Sequence, residues 1–181
     1  ATGKTTLAEY LSRELSLPLV SKDQFKETLL DSLESSGNEW SRQLSALSMR
    51  LLYMQVENLL RAGVAHIAEA NFHPALASQE WQNLCHRYPL RLIQVRCETE
   101  PDVLLGRYEQ RITNGERHPG HHDQSHDPKF LEMVRSGSIG WIEVEGPRIS
   151  INTTWLESVD YRLLADELKL QLAGNQRDEL I

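Results

Sequence analysis

The chain opens on Ala1-Thr2-Gly3-Lys4-Thr5-Thr6, the back half of the phosphate-binding pattern G-x-x-x-x-G-K-[ST]. Each residue type suits one task. Gly3 has no side chain, so the backbone can approach an anion closely. Backbone N–H groups at a helix N-terminus point at that anion, and the helix dipole favours negative charge there. Lys4 offers a point charge to the β- and γ-phosphates of a nucleotide, and the Thr5 hydroxyl can ligate Mg²⁺. Ala1, Thr2 and Thr6 complete the loop. The first glycine of the pattern, and the strand that should precede it, would lie upstream of Ala1, so both are expected to be missing from the sheet.

Further along, carboxylates and arginines fall where such a loop would need them. Asp23 sits just past a strand end, in Ser21-Lys22-Asp23-Gln24-Phe25-Lys26, where open α/β sheets gather their sites. A carboxylate there can take a proton from an attacking hydroxyl; its plainer reading is a helix N-cap. Lys26, one turn on, can hold an anionic or polar substrate group, or be a solvated surface lysine. Glu69 closes the next strand, in Ile67-Ala68-Glu69-Ala70-Asn71-Phe72, the position from which a carboxylate orients Mg²⁺. Asn71 can hydrogen-bond a substrate. Arg107 and Arg111 share a helix face and lead into a segment carrying Arg117 and His118. Guanidinium groups there would meet the charge that phosphoryl transfer spreads over oxygens; the alternative is a surface ladder with Glu109. The histidines His118, His121, His122 and His126 suggest a metal site, but their spacing gives no clear paired-ligand geometry.

The elements that must position these residues alternate. Leu7, Ala8, Leu11 and Leu15 fall at helical spacing, and Pro18 stops the helix. A strand is expected over 17–21, then a helix from Asp23 with Phe25, Leu29, Leu30 and Leu33. Glu34 to Ser41 reads as a loop. Leu44, Leu47, Leu51, Leu52, Val56, Leu59 and Leu60 form one stripe of a long helix, which Gly63 ends. Strands follow over 64–70 and 90–97, with a helix from Pro74 between them whose inner face is Trp81, Leu84 and Cys85. Thr99 is expected to cap the next helix, with Pro101 in its first turn. Residues 112–127 read as an Arg/His-rich lid, followed by a short helix from Asp127-Pro128. A last strand spans 149–151, and a closing helix runs over about 155–173 with Leu163, Leu164, Leu168 and Leu172. The tail after Gly174 is polar. The alternation implies a parallel sheet with helices on both faces.

Composition narrows the function classes. With 181 residues, 40% of them hydrophobic, the chain suits one domain with a substantial core. Nineteen Lys and Arg against 26 Asp and Glu give a net charge of −7. That balance argues against a general nucleic-acid binder. Two cysteines, Cys85 and Cys97, exclude a disulfide framework and suit a reducing cytoplasm; both are expected in the core. No apolar run is long enough to span a membrane.

Taken together, the opening loop, Ser21 to Lys26, Glu69 to Phe72, Arg107 to Arg111 and Arg117-His118-Pro119-Gly120-His121 resemble the P-loop kinase group. That group includes polynucleotide 5′-kinases, zeta toxins, chloramphenicol phosphotransferases and bacterial kinase-like AAA-type ATP-binding proteins. The resemblance covers nearly the whole chain. It implies a three-layer fold with a parallel sheet in the order 2-3-1-4-5, strand 1 being the one this chain lacks. It also implies ATP and Mg²⁺, with Lys4, Asp23, Arg107 and Arg111 catalytic and Asp23 the general base. Lys26 falls where relatives place a basic substrate-binding residue. Glu69 stands where they usually carry aspartate, which lengthens the reach to a metal held with Thr5. The expected reaction moves the γ-phosphate of ATP to a small-molecule hydroxyl. A polynucleotide 5′-kinase and a nucleotide-dependent switch or ATPase are the alternatives, and the acceptor is not legible.

Overall fold

A computed structural model describes residues 1–33, 37–116, 118–121, 132 and 140–173. In chain order its elements are α1 (Lys4–Leu15), β1 (Leu19–Ser21), α2 (Lys22–Ser32), α3 (Asn38–Arg61), β2 (Ile67–Glu69), α4 (Pro74–Arg87), β3 (Gln94–Glu98), α5 (Pro101–Thr113), β4 (Arg148–Asn152) and α6 (Tyr161–Ala173). A short 3-10 turn, Leu156–Ser158, precedes α6. The short helix expected from Asp127, the far part of the lid and the tail after Gly174 lie outside the described residues.

β1 pairs with β2 and β3 with β4, both in parallel. Among the described residues these form two separate two-stranded sheets. The order 2-3-1-4-5 without its first strand gives this pair of pairs. Alternation along the strands sends side chains to opposite faces. Ile67, Val95, Cys97, Ile149 and Ile151 pack on Leu7 and Leu11 of α1 and on Leu164, Ala165 and Leu168 of α6. On the other face Val20 and Ala68 meet Leu52 and Val56 of α3 and Ala77, Trp81 and Leu84 of α4. Helices therefore cover both faces, as the alternation requires.

The first three strands start later than expected, whereas β4 is slightly longer than expected, and for β1 and β2 the late start has a backbone reason. The Leu17 N–H donates to the Ser12 carbonyl in closing α1, and Pro18 has no N–H, so β1 begins at Leu19. Val64 is likewise claimed by the end of α3. Its N–H reaches the Leu59 carbonyl and the Gly63 N–H reaches Leu60, with Gly63 at φ +67°. This is the Schellman closure that Gly63 allows, and β2 starts only at Ile67.

Other expectations need correcting. Much of the expected loop 34–41 is helix, since α3 begins at Asn38. Its buried stripe is Ser41, Leu44, Ser48, Leu52 and Val56, whereas Leu47 is exposed. The two serines enter by hydrogen bonding, Ser48 Oγ donating to the Leu44 carbonyl at 2.6 Å. In α6, Ala165 rather than Leu163 faces inward. Thr99 does not cap α5: Glu100 holds that position, and the Thr99 hydroxyl lies 2.7 Å from that of Thr153. Cys85 and Cys97 are free and only half-buried.

Leu52 is fully enclosed, at 0% exposure. Leu52→Ala removes buried methyl groups and leaves a cavity, so it should cost about 2–5 kcal/mol of stability. Urea unfolding should show an earlier midpoint with an unchanged slope.

Candidate active site

The carboxyl ends of β1 and β2 meet the N-terminus of α1. Register pairs Ser21 with Glu69, which places both side chains at one edge. Ser21 Oγ donates to Glu69 Oε2 at 2.7 Å, and both residues are buried. From α1, Thr5 Oγ1 lies 3.4 Å and Lys4 Nζ 3.7 Å from Glu69 Oε1. A carboxylate so enclosed needs such partners, because burying a bare charge is costly. Gly3 heads α1 at φ +82°, a conformation glycine adopts without strain. A Cβ there would stand 2.9 Å from Leu156 Cδ2 and would push that side chain aside, on top of the strain the positive φ imposes on other residues. Thr2 Oγ1 is buried with no hydrogen-bond partner among the described residues. Ala1 and Thr2 are half-buried, while Thr5 and Thr6 are exposed.

These groups fit a nucleotide with its metal. Thr5 Oγ1 and the Glu69 carboxylate are hard oxygen donors of the kind Mg²⁺ takes. The Gly3 cradle, the Lys4 ammonium and the unsatisfied Thr2 hydroxyl suit phosphate oxygens.

Asp23 lies in the first turn of α2, where Ser21 occupies the N-cap without a side-chain cap bond. The capping reading of Asp23 is therefore not what the helix shows. Its carboxylate instead accepts a hydrogen bond from Lys22 Nζ at 3.0 Å. Burial alone would raise its pKa. The charge and hydrogen bond of Lys22, with the charges of His121 and Lys4, outweigh that and hold it below the ordinary value of 3.8. Folding thus favours ionised Asp23. The stability this contributes is present above the unfolded value and is lost as pH falls through the folded one. Lys22→Met removes the main opposing charge, so the Asp23 titration should move upward. The Asp23 carboxyl carbon, followed by NMR against pH, reads that shift.

The remaining candidates divide. Lys26 is not a surface lysine: it is buried and donates to Ser41 Oγ at 2.8 Å. Asn71 is exposed on the loop between β2 and α4. Arg107 donates from Nη1 to the Thr153 carbonyl (2.8 Å) and from Nη2 to the Thr154 carbonyl (2.7 Å), tying α5 to the segment after β4. Among the described residues the Arg111 guanidinium has no partner, and neither arginine pairs with Glu109. Arg117 lies outside the described residues. His118 Nε2 is 2.9 Å from Asp31 Oδ1, and His121 Nε2 is 3.0 Å from Glu27 Oε1. No group of three or more metal-ligating side chains assembles among the described residues.

Sequence reasoning missed Ser21, Ser41, Glu27 and Asp31 as parts of this region. Asp23, Glu27 and Asp31 stand four residues apart, a helical stripe that could have been read from spacing.

The sequence profile of the family described as AAA domain matches residues 1–127. A crystal structure of a "putative kinase" from Chloroflexus aurantiacus is 40% identical with a TM-score of 0.87, covering 94% of this chain and 92% of that one. A sugar kinase from Janibacter is 15% identical with a TM-score of 0.54, over 95% of this chain and 88% of that one. At that identity the likeness concerns the fold alone. No curated protein matches the chain.

Proposed function

The chain belongs to the AAA-domain family, and on that premise we propose that it is an ATP- and Mg²⁺-dependent kinase acting on the hydroxyl of a small molecule. One observation carries the reading. Lys4, Thr5 and Glu69 converge at the head of α1, and Asp23 lies close enough to feel the Lys4 charge.

In the proposed reaction the acceptor oxygen bonds to the γ-phosphorus as the bond from that phosphorus to the β,γ-bridging oxygen breaks. The hydroxyl proton passes to the Asp23 carboxylate, and ADP leaves. The N–H groups at the head of α1 and Lys4 bind the phosphates. Thr5 and Glu69 would hold Mg²⁺, which when bound offsets phosphate charge. Arg111, without a partner among the described residues, is proposed to meet the γ-phosphoryl oxygens, while Arg107 braces the segment beyond β4. Asn71, on its exposed loop, and Arg117 and His118 of the lid are proposed to contact the acceptor, with Lys26 supporting that side through Ser41.

The net charge of −7 supports a small acceptor over a polynucleotide. Among the described residues no helix is long and apolar enough to cross a membrane. The two free thiols suit a reducing compartment, and the proposed setting is cytoplasmic.

ADP release, followed with Mg²⁺ against pools of nucleosides, sugars, aminoglycosides and amphenicols, tests this reading. Release that rises with one pool and stops on adding EDTA is expected. Release that is the same with and without every pool would make the chain an ATPase or switch instead.

A further inference from the structure

Along α2, Asp23, Glu27 and Asp31 form a stripe of carboxylates one turn apart. Two of the three are occupied from far away in the chain. His118 meets Asp31 and His121 meets Glu27, at 2.9 and 3.0 Å. The third, Asp23, is the proposed base. The histidines sit at the ends of a tight turn with Pro119 and Gly120 in its middle, closed by the His121 N–H donating to the His118 carbonyl at 3.0 Å.

The turn is fixed by more than its imidazoles. His118 Nδ1 accepts from the Gly120 N–H at 3.1 Å, so His118 Nε2 carries the hydrogen that it gives to Asp31. Ser41 Oγ donates to the Gly120 carbonyl at 3.0 Å, and the buried Lys26 ammonium donates in turn to Ser41. Gly120 lies against Leu30: a Cβ on Gly120 would come within 2.6 Å of Leu30 Cδ2, so Leu30 or the turn would have to shift to admit it. His121 itself is buried, at 9% exposure, and near enough to Asp23 for its charge to be felt there.

We infer that the turn from His118 to His121 is a clamp that walls the acceptor side of the site, with His121 its positioning residue. Seated on Glu27, one helical turn from Asp23, His121 fixes the turn so that the acceptor hydroxyl is presented to that carboxylate. The inference rests on the reading of Asp23 as the proton acceptor. His121 touches neither reacting atom and is not a catalytic residue; it acts through the placement of the turn. Misplacing a reactant by about 1 Å can cost about 10²-fold in rate, so a small loosening should be visible.

The test uses the full-length protein and the pool compound that the wild type labels from γ-labelled ATP. His121→Ala and Gly120→Ala should each lower kcat/KM for that compound by about 10²-fold. The KM for ATP should stay unchanged. His121→Gln keeps an amide able to donate to Glu27 and should recover most of the loss. Leu30→Ala, added to Gly120→Ala, opens the space the new Cβ needs and should recover that variant. Deuterium exchange of the amides of Gly120 and His121 should quicken in both alanine variants and slow again in both rescues.

If the wild type labels a compound and the alanine variants match it, the clamp is refuted and the kinase reading stands. Equal loss toward ATP and acceptor, with no rescue by glutamine or by Leu30→Ala, means a general structural defect and also refutes it. Wild type that labels nothing overturns both readings at once, and does so without reference to any variant.

Discussion

Asp23→Asn is expected to lower kcat/KM for acceptor phosphorylation by about 10²–10⁴-fold, the usual worth of a positioned general base. ATP affinity should be unchanged. The substitution is close to isosteric and removes the proton-accepting charge while leaving an oxygen that Lys22 can still address. It should spare the fold, because Asp23 is not the cap of α2 and its side chain is 41% exposed. In the proposed reaction phosphate binding falls to the head of α1 instead. Steady-state kinetics with calorimetric ATP titration separates the two effects. A variant that transfers phosphate as well as the wild type would remove Asp23 from the chemistry.

Lys4→Met should act in the complementary way, on nucleotide and rate together. Lys4 is the cation 3.7 Å from Glu69 at the head of α1, and in the proposed reaction it meets phosphate charge both in bound ATP and as it builds during transfer. Removing one such preorganised group costs about 10²–10³-fold in rate, and ATP binding should weaken as well. The deletion also leaves the buried Glu69 carboxylate with Ser21 and Thr5 alone, so thermal unfolding should be recorded beside the kinetics. Retained folding with lost nucleotide binding is the expected pair. Undiminished ATP binding would mean that the loop is degenerate.

The helices and the outline of the site were legible because their signals are local. The glycine, lysine and threonine at the head of α1 are contiguous, Asp23 follows one strand and Glu69 ends the next, and the apolar residues of those strands announce them. Strand starts were not legible, because Leu17 and Val64 look like strand residues while their N–H groups are spent on helix ends. Ser41 and Ser48 escaped notice because hydropathy sees a polar residue, not the hydrogen bond that lets it be buried. Arg107 reads like Arg111 in sequence; only the fold shows its guanidinium turned to two carbonyls. His118 and His121 find partners 87 and 94 residues away, and no local pattern encodes such pairs. The carboxylate stripe of α2 was in plain view, but its meaning depended on what the fold laid across it.

Acceptor-dependent transfer of label from γ-labelled ATP in the presence of Mg²⁺, run with wild type and Asp23→Asn side by side, shows whether this chain is a small-molecule kinase with Asp23 as its base. The pools are nucleosides, sugars, aminoglycosides, amphenicols and 5′-hydroxyl oligonucleotides. Label in a small-molecule pool with the wild type, and its near-complete loss with Asp23→Asn, is the expected result. Label confined to the oligonucleotides, or ATP bound with no label moved to any pool, would contradict it.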